Sequence, residues 1–114
     1  MKEEDTNQAA LVKWADMHKN IGPFLFSIPN GGSRNIIEAV KIKKTGGKAG
    51  VFDLFLMIPS EIYHGLFIEM KSKKGRLSEK QKEFQKRAES KDYCTFVAYS
   101  WIEAKDKILD YLQN

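Results

Sequence analysis

Hydrophobic and polar positions along the chain follow two periods, one typical of helices and one typical of strands. Apolar residues at helical spacing predict a first helix over residues 4–19, and the breaker sequence NIGP ends it. The run FLFSIP predicts a strand over residues 24–29, closed by NGGS, which has strong turn chemistry. Residues 35–44 predict a short helix, which the pair Gly46 and Gly47 would end.

Three apolar runs in the second half of the chain have clear strand character. VFDLFLMI predicts a strand over residues 51–58, and YHGLFIEMK predicts another over residues 63–71. The connection between them is short, which favours an antiparallel hairpin. The run YCTFVAY is β-branched and aromatic and predicts a strand over residues 93–99.

Two further helices complete the pattern. Ser78 is placed to cap a helix over residues 79–91, and Ser100 opens a last helix that reaches about Leu112. The resulting order is α-β-α-β-β-α-β-α, with no repeat or low-complexity tract. This alternation predicts an α/β fold in which helices flank a mixed sheet. A length of 114 residues predicts one domain, 1–114.

Composition narrows the class of protein. Apolar residues make up 42% and charged residues 30% of the chain, which is typical of globular proteins and not of disordered ones. No apolar run approaches the ~20 residues that span a bilayer, and the N-terminus MKEEDTNQAA is too acidic and polar for a signal peptide. The single Cys94 excludes an internal disulfide, and no Cys/His cluster indicates zinc. We therefore expect a cytoplasmic protein with no membrane partner.

The net charge of +4 is modest, but its distribution is uneven. Two loop regions concentrate the basic residues: Lys41, Lys43, Lys44 and Lys48 in the first, and Lys73, Lys74 and Arg76 in the second. Basic loops near a shared site suit the phosphate backbone of a nucleic acid. They suit a solvated, solubilising surface equally well, so charge alone leaves both interpretations open.

Charged residues interrupt two of the predicted strands. Glu69 and Lys71 are two positions apart, so their side chains share one face, roughly 6.8 Å apart along the strand. A hairpin turning near residues 59–64 can bring Asp53 alongside them. Two carboxylates ~4 Å apart repel by about 4 kcal/mol at an effective dielectric of 20, so this arrangement requires something that offsets the repulsion.

A hard divalent cation is the simplest such partner, because Mg²⁺ favours carboxylate and water oxygens. A metal held there could convert a water into a nucleophile and bind a phosphate oxygen, while Lys71 orients the water or stabilises charge on the phosphorus. The alternative is an exposed same-face ion pair between Glu69 and Lys71, worth at most ~1 kcal/mol. In that case Asp53 would be a turn residue.

Asp53 followed by Glu69-x-Lys71 resembles the D…(D/E)-x-K motif of the PD-(D/E)XK nuclease superfamily. More narrowly, the chain resembles the virus-type replication-repair nuclease domain, VRR-NUC, in the small stand-alone form found in phages and bacteria. The resemblance covers nearly the whole chain and extends through IPNGG (28–32), GGKAGVFDLFL (46–56), GLFIEMK (65–71) and GRLSEKQ (75–81). It departs at Phe52, where the family usually has a structural proline, so the local bend is in question.

The resemblance implies a role for each motif residue. Asp53 and Glu69 are expected to bind Mg²⁺ or Mn²⁺, joined by the backbone carbonyl of Met70. Lys71 matches the lysine that positions or activates the attacking water. Gln81 matches a glutamine near that lysine and is expected to be catalytic. The run SEKQ also fits a capping box, in which Gln81 satisfies a helix end together with Ser78.

The family site also takes an acidic residue from the first helix. We expect Glu4 to be this metal ligand, because Glu4 and Gln8 lie one turn apart and fit the family pattern E-x3-Q. Glu3 and Asp5 are close alternatives, and acids at a helix start are commonly just favourable partners of the helix dipole.

The resemblance also implies a substrate. It predicts a metal-dependent endonuclease that hydrolyses phosphodiester bonds in DNA and leaves a 5′-phosphate, in the cytoplasm of a bacterial or phage-infected host cell. The glycines of PNGGSR would allow a close approach to DNA. The expected DNA-binding residues are Arg34, Lys48, Lys73, Lys74 and Arg76.

Branched DNA, such as a four-way (Holliday) junction, is the expected substrate, cut by a homodimer with two sites related by a two-fold axis. Two other classes stay open on the residues alone. One is a catalytically silent nucleic-acid-binding module, for which basic loops suffice. The other is an interaction domain with a surface ion pair at Glu69 and Lys71. Clustered carboxylates favour the enzyme, because a binding module has no need of them facing anionic DNA.

Overall fold

The order of helices and strands along the chain is the order that the sequence predicts. The computed structural model describes residues 1–29 and 35–113. Its elements are α1 (Glu3–Asp16), β1 (Leu25–Ser27), α2 (Ile36–Lys44), β2 (Leu54–Leu56), β3 (Leu66–Met70), α3 (Glu79–Ser90), β4 (Cys94–Ala98) and α4 (Trp101–Leu112). A 3-10 turn at Gly22–Phe24 leads into β1. The expected α/β class, with helices flanking a mixed sheet, is confirmed.

The four strands form one mixed sheet in the order β1-β2-β3-β4. β2 pairs antiparallel with both β1 and β3, and β4 pairs parallel with β3. The antiparallel hairpin of β2 and β3 is therefore confirmed. Its register sets Leu54 opposite Ile68, which brings Asp53, just before β2, to the level of Glu69. Residues 51–53 were expected to be part of β2 and are not, and the N–H of Asp53 bonds instead to the carboxylate of Glu69.

Helices α1 and α4 cover one face of the sheet with apolar side chains. Leu11 and Ala15 of α1 are buried against it, as are Ala104 and Ile108 of α4. Leu112, at the end of α4, is only half-buried. Tyr111 is buried instead, and its hydroxyl donates a hydrogen bond to the carbonyl of Ile58 at 2.7 Å. The hydroxyl takes its partner from the backbone, so a tyrosine is accommodated in the core.

The opposite face carries α3 over a cluster of aromatic rings. Phe84 of α3 meets Phe67 edge-on, with ring centroids 5.0 Å apart, and meets Phe52 at 5.3 Å. Phe52 is fully buried, so the residue that replaces the family proline has become a core side chain. It holds the segment before Asp53 against α3.

Gly50 brings the same segment still closer to α3. It has a φ of +89°, and a Cβ added there would collide with the carbonyl of Lys80 in the first turn of the helix. The backbone therefore needs glycine at this position, both for its conformation and for its close approach. None of the helices in residues 1–29 and 35–113 is long and apolar enough to cross a membrane.

Candidate active site

The carboxylates of Asp53 and Glu69 lie side by side where β2 begins and β3 ends. The N–H of Asp53 donates to Oε1 of Glu69 at 3.1 Å, and the N–H of Met70 donates to Oδ2 of Asp53 at 3.0 Å. Each carboxylate thus accepts a hydrogen bond from the backbone next to the other. The amide of Met70 lies at the end of β3 and that of Asp53 lies directly before β2, so the backbone at this edge of the sheet fixes both side chains.

Glu69 is only 4% exposed and is the one charged residue that is buried in the described part of the chain. Burial and then the charge of Asp53 raise its pKa to about 7, although Lys71 acts to lower it. Burial also raises the pKa of Asp53, against hydrogen bonds that lower it. One lysine therefore does not compensate the two carboxylates, and the pair favours a further positive charge.

Lys71 completes the cluster from the end of β3. Its Nζ lies 3.4 Å from Oε2 of Glu69, and its side chain is 18% exposed. The N–H of Lys71 donates to the carbonyl of Ala98, which extends the pairing of β3 with β4 past Met70. The ion pair thus lacks the exposure that a surface pair would have.

Gln81 forms the capping box that the sequence predicts and also bonds the Glu69 carboxylate. Its backbone N–H donates to the hydroxyl of Ser78 at 3.2 Å, and its Oε1 accepts from the N–H of Ser78 at 2.9 Å, which forms the capping box of α3. Its Nε2 donates to Oε2 of Glu69 at 3.0 Å. A residue at a helix start therefore also bonds a carboxylate of the site.

The acids of α1 approach the cluster in different ways. The charge of Asp5 adds to the burial that raises the pKa of Asp53. Oε1 of Glu3 accepts a hydrogen bond from the N–H of Lys73 at 3.2 Å, which ties α1 to the basic loop. Glu4 is half-buried, and its side chain has no hydrogen bond or ion pair within the described residues. Its role as a metal ligand stays a prediction.

Comparison with known proteins identifies the family. The family model of the VRR-NUC domain matches residues 2–101. The chain belongs to the VRR-NUC family. A solved structure described as a "VRR_NUC domain protein" is similar with a TM-score of 0.85 and 28% sequence identity, over 99% of this chain and 90% of that one. No curated protein matches the sequence. The VRR-NUC domain is a nuclease-type fold, and its substrate class is DNA.

The residues of this VRR-NUC domain fit a magnesium-type ion. Among the described residues, no group of three or more His, Cys, Asp or Glu side chains is placed to hold a metal. Mg²⁺ does not require such a cage, because it is commonly bound by one or two carboxylates, waters and substrate phosphates. Asp53 and Glu69 supply two hard oxygen donors, and burial raises the pKa of both carboxyls.

Exposed basic residues of the VRR-NUC domain lie on the two chain segments that adjoin this cluster. Lys73, Lys74 and Arg76 are exposed on the loop that runs from β3 to α3, directly after Lys71. Lys48 is exposed on the segment that leads to Asp53. Arg34, the remaining predicted DNA contact, lies outside the described residues. Sequence reasoning did not find the bond from Glu3 to this loop, which the strand and helix patterns do not signal.

Proposed function

We propose that the chain is a metal-dependent endonuclease that hydrolyses phosphodiester bonds in DNA. The observation that supports this most is the convergence of Asp53, Glu69 and Lys71, held by backbone hydrogen bonds at the end of a sheet. Two carboxylates and an amine brought together in this way match the needs of phosphodiester hydrolysis, namely a cation site and a group that orients water.

Each residue of the site has a distinct task in this proposal. Asp53 and Glu69 would hold Mg²⁺ or Mn²⁺, joined by the carbonyl of Met70. The bound ion supplies Lewis acidity and lowers the pKa of a coordinated water. Lys71, whose ammonium already lies against Glu69, orients the attacking water and stabilises charge that grows on the phosphate.

Gln81 holds the Glu69 carboxylate from the side opposite the backbone of Asp53. It donates to Oε2 while Asp53 donates to Oε1, so both oxygens of Glu69 have fixed partners. A carboxylate held in this way keeps its orientation when DNA enters. The exposed residues Lys48, Lys73, Lys74 and Arg76 would bind backbone phosphates, together with the predicted contact Arg34, and their contribution should fall steeply with salt.

We also propose that the enzyme acts on branched DNA as a symmetric homodimer. α2 supports this, because Ile36 and Ile37 are each 80% exposed and Val40 is 47% exposed. Its first turn is acidic and its last turn carries three lysines. Two copies of α2 packed antiparallel about a two-fold axis would cover this apolar face and set unlike charges opposite each other. Light scattering that gives twice the 13.1 kDa chain mass, and Ile37→Glu that restores one chain mass, would support the dimer.

The central experiment is cleavage of labelled single-stranded, duplex, flap and four-way-junction DNA with Mg²⁺, Mn²⁺ or EDTA. Metal-dependent cutting by the wild-type protein, lost in Asp53→Ala, would support the nuclease and rank its substrates. Cutting by a well-folded Asp53→Ala protein would refute the assignment. Salt-sensitive binding without any cutting, indifferent to Mg²⁺ and to Asp53→Ala, would instead support the binding module.

A further inference from the structure

Two helices of the chain begin with the same local pattern, Ser-x-x-Gln/Glu, and only one of them faces the candidate site. At the start of α4, the N–H of Glu103 donates to the hydroxyl of Ser100 at 3.1 Å, and Oε1 of Glu103 accepts from the N–H of Tyr99 at 2.9 Å. At the start of α3, Ser78 and Gln81 bond each other reciprocally, whereas the second bond of the α4 cap comes from Tyr99, one residue before the cap. The α3 cap has one additional bond, from Gln81 to Glu69.

The α3 cap determines which way the Gln81 amide faces. A glutamine amide has one oxygen that accepts and one nitrogen that donates. The N–H of Ser78 requires the oxygen on its side, at 2.9 Å, which turns the nitrogen towards Oε2 of Glu69 at 3.0 Å. In the flipped amide, the NH₂ group would face the N–H of Ser78 and the oxygen would face the carboxylate of Glu69. Both contacts are repulsive, so the flipped orientation is disfavoured.

The cap also determines the position of Gln81. The Ser78 hydroxyl accepts the backbone N–H of Gln81, which holds this residue in the first turn beneath Glu69. Without that hydroxyl, the reciprocal bond loses one of its two halves and the Gln81 side chain regains rotamer freedom. Oε2 of Glu69 would then keep only Lys71, at 3.4 Å, and the carboxylate could turn towards the ammonium.

We propose that Ser78 is a positioning residue of the site, acting through the Gln81 amide to fix the orientation of the Glu69 carboxylate. This inference rests on the proposed nuclease function. It makes the helix cap part of the catalytic support, whereas the cap at Ser100 makes no hydrogen bond to Asp53, Glu69 or Lys71 among the described residues. Loss of a residue that orients a metal-binding side chain typically lowers activity by about 10- to 100-fold.

The test compares four variants of the full chain: Ser78→Ala, Ser78→Gly, Ser78→Thr and Ser100→Ala. Glycine removes the hydroxyl but is a good N-cap, so Ser78→Gly keeps the helix start intact if alanine destabilises the fold. Threonine restores the acceptor. Ser100→Ala is the matched control, because it removes the same kind of cap hydroxyl and should lower the melting temperature as much as Ser78→Ala does.

The first readout is cleavage kinetics at saturating Mg²⁺, below all melting temperatures. Ser78→Ala and Ser78→Gly should lower kcat about 10-fold and leave the KM for DNA within about twofold, because the basic loops are unchanged. Ser78→Thr should recover most of kcat, and Ser100→Ala should retain it. Unchanged kcat in Ser78→Gly, or an equal loss in Ser100→Ala, would overturn the proposal.

The second readout does not depend on cleavage. The side-chain amide resonances of Gln81, identified by their absence in Gln81→Ala, should move towards free-glutamine values in Ser78→Gly and stay in place in Ser100→Ala. If the wild-type protein cuts no DNA, the nuclease proposal fails, but these resonances still decide whether Ser78 orients Gln81. If the protein cuts DNA and the resonances do not move, only the positioning role is refuted.

Discussion

Two lysine–glutamate pairs in this chain have nearly the same separation and very different surroundings. Lys71 lies 3.4 Å from Glu69 with side-chain exposures of 18% and 5%, whereas Lys82 lies 3.3 Å from Glu79 with exposures of 54% and 87%. Exposed pairs are screened by water and contribute little. The distance between two charges therefore does not determine how much the ion pair contributes to stability. The burial of the pair does.

The pKa of Glu69 shows what this environment does. Burial raises it to about 7, and the neighbouring Asp53 adds to the rise, so ionising Glu69 remains costly despite its lysine. A pair kept only for stability would be replaced at little cost by apolar residues. A buried pair with a second carboxylate beside it is instead suited to hold a cation. Comparing the buried pair with the exposed pair tests this interpretation.

The largest expected effect is on DNA cleavage. Glu69→Gln keeps the size of the side chain but removes a charged oxygen donor, and we expect cleavage to fall more than about 100-fold. Glu79→Gln makes the same chemical change in the exposed pair and should leave the rate unchanged within about twofold. The measurement is kcat for each variant on the best DNA substrate, with the fold checked by circular dichroism.

Equal loss of activity in both variants would mean that the difference in burial between the two ion pairs does not matter for cleavage. Retained activity in a folded Glu69→Gln protein would remove Glu69 from the site. Either result would leave Asp53 and Lys71 to be tested alone.

The next effect is on stability as a function of pH. The pKa of Glu69 is raised from 4.5 to about 7 on folding, so the folded state binds more protons than the unfolded state between these values. Without metal, the contribution of Glu69 to stability is therefore most favourable below about pH 4.5 and falls as the pH rises to about 7, by an amount on the order of 3 kcal/mol. The raised pKa of Asp53 acts in the same direction.

Urea unfolding from pH 4.5 to pH 8 in EDTA measures this slope. Glu69→Gln should flatten it, and Glu79→Gln should leave it as in the wild type. Added Mg²⁺ should recover stability at pH 8, above the pKa of Glu69, and should do so less in Glu69→Gln. A wild-type slope that does not depend on Glu69 would contradict the assigned burial of this carboxylate.

The sequence predicted the partners of the buried pair but not the burial itself. Strand periodicity places Glu69 and Lys71 on one face, and a hairpin register adds Asp53, so this convergence follows from local rules. The 4% exposure of Glu69 depends on α3 and on the Gln81 amide, which the strand pattern does not reveal. Periodicity predicts which side chains share one face of a strand better than it predicts which helix packs over that face.

The same limit explains the errors at the edges of the elements. The strand predicted over 51–58 is Leu54–Leu56, because Asp53 bonds to a side chain there. Three consecutive acids at the start of α1 point in different directions around the helix. Sequence alone therefore does not choose between Glu4 and its neighbours, since the choice depends on how α1 packs beside the sheet.

A smaller effect should come from the support between α3 and the Asp53 segment. Gly50→Ala adds a Cβ against the carbonyl of Lys80 at a φ of +89°, whereas Gly46→Ala adds one at a φ of +106° with no described atom within 4 Å. Both carry the conformational penalty of about 1–2 kcal/mol, and only Gly50→Ala adds a clash of about 1–3 kcal/mol. Gly50→Ala should therefore be the less stable variant by urea unfolding.

Cleavage by the two glycine variants tests whether the position of α3 matters for the buried pair and not for the exposed pair. Displacing α3 separates Gln81 from Glu69, whereas Glu79 and Lys82 move together within the helix. We expect a lower kcat in Gly50→Ala at a temperature where both variants are folded, and an unchanged kcat in Gly46→Ala. Equal stability and equal kcat in the two variants would show that the close approach to Lys80 does not support the site.

The smallest effect should be the coupling within the exposed pair. A double-mutant cycle of Glu79→Ala and Lys82→Ala should give about 0.3–0.5 kcal/mol by urea unfolding, because the two side chains are one helical turn apart and largely in water. This coupling should fade in 1 M salt, where the screening length is about 3 Å. A coupling above about 1 kcal/mol that persists in salt would mean that the 3.3 Å separation outweighs exposure, and Glu69–Lys71 would then need no special explanation.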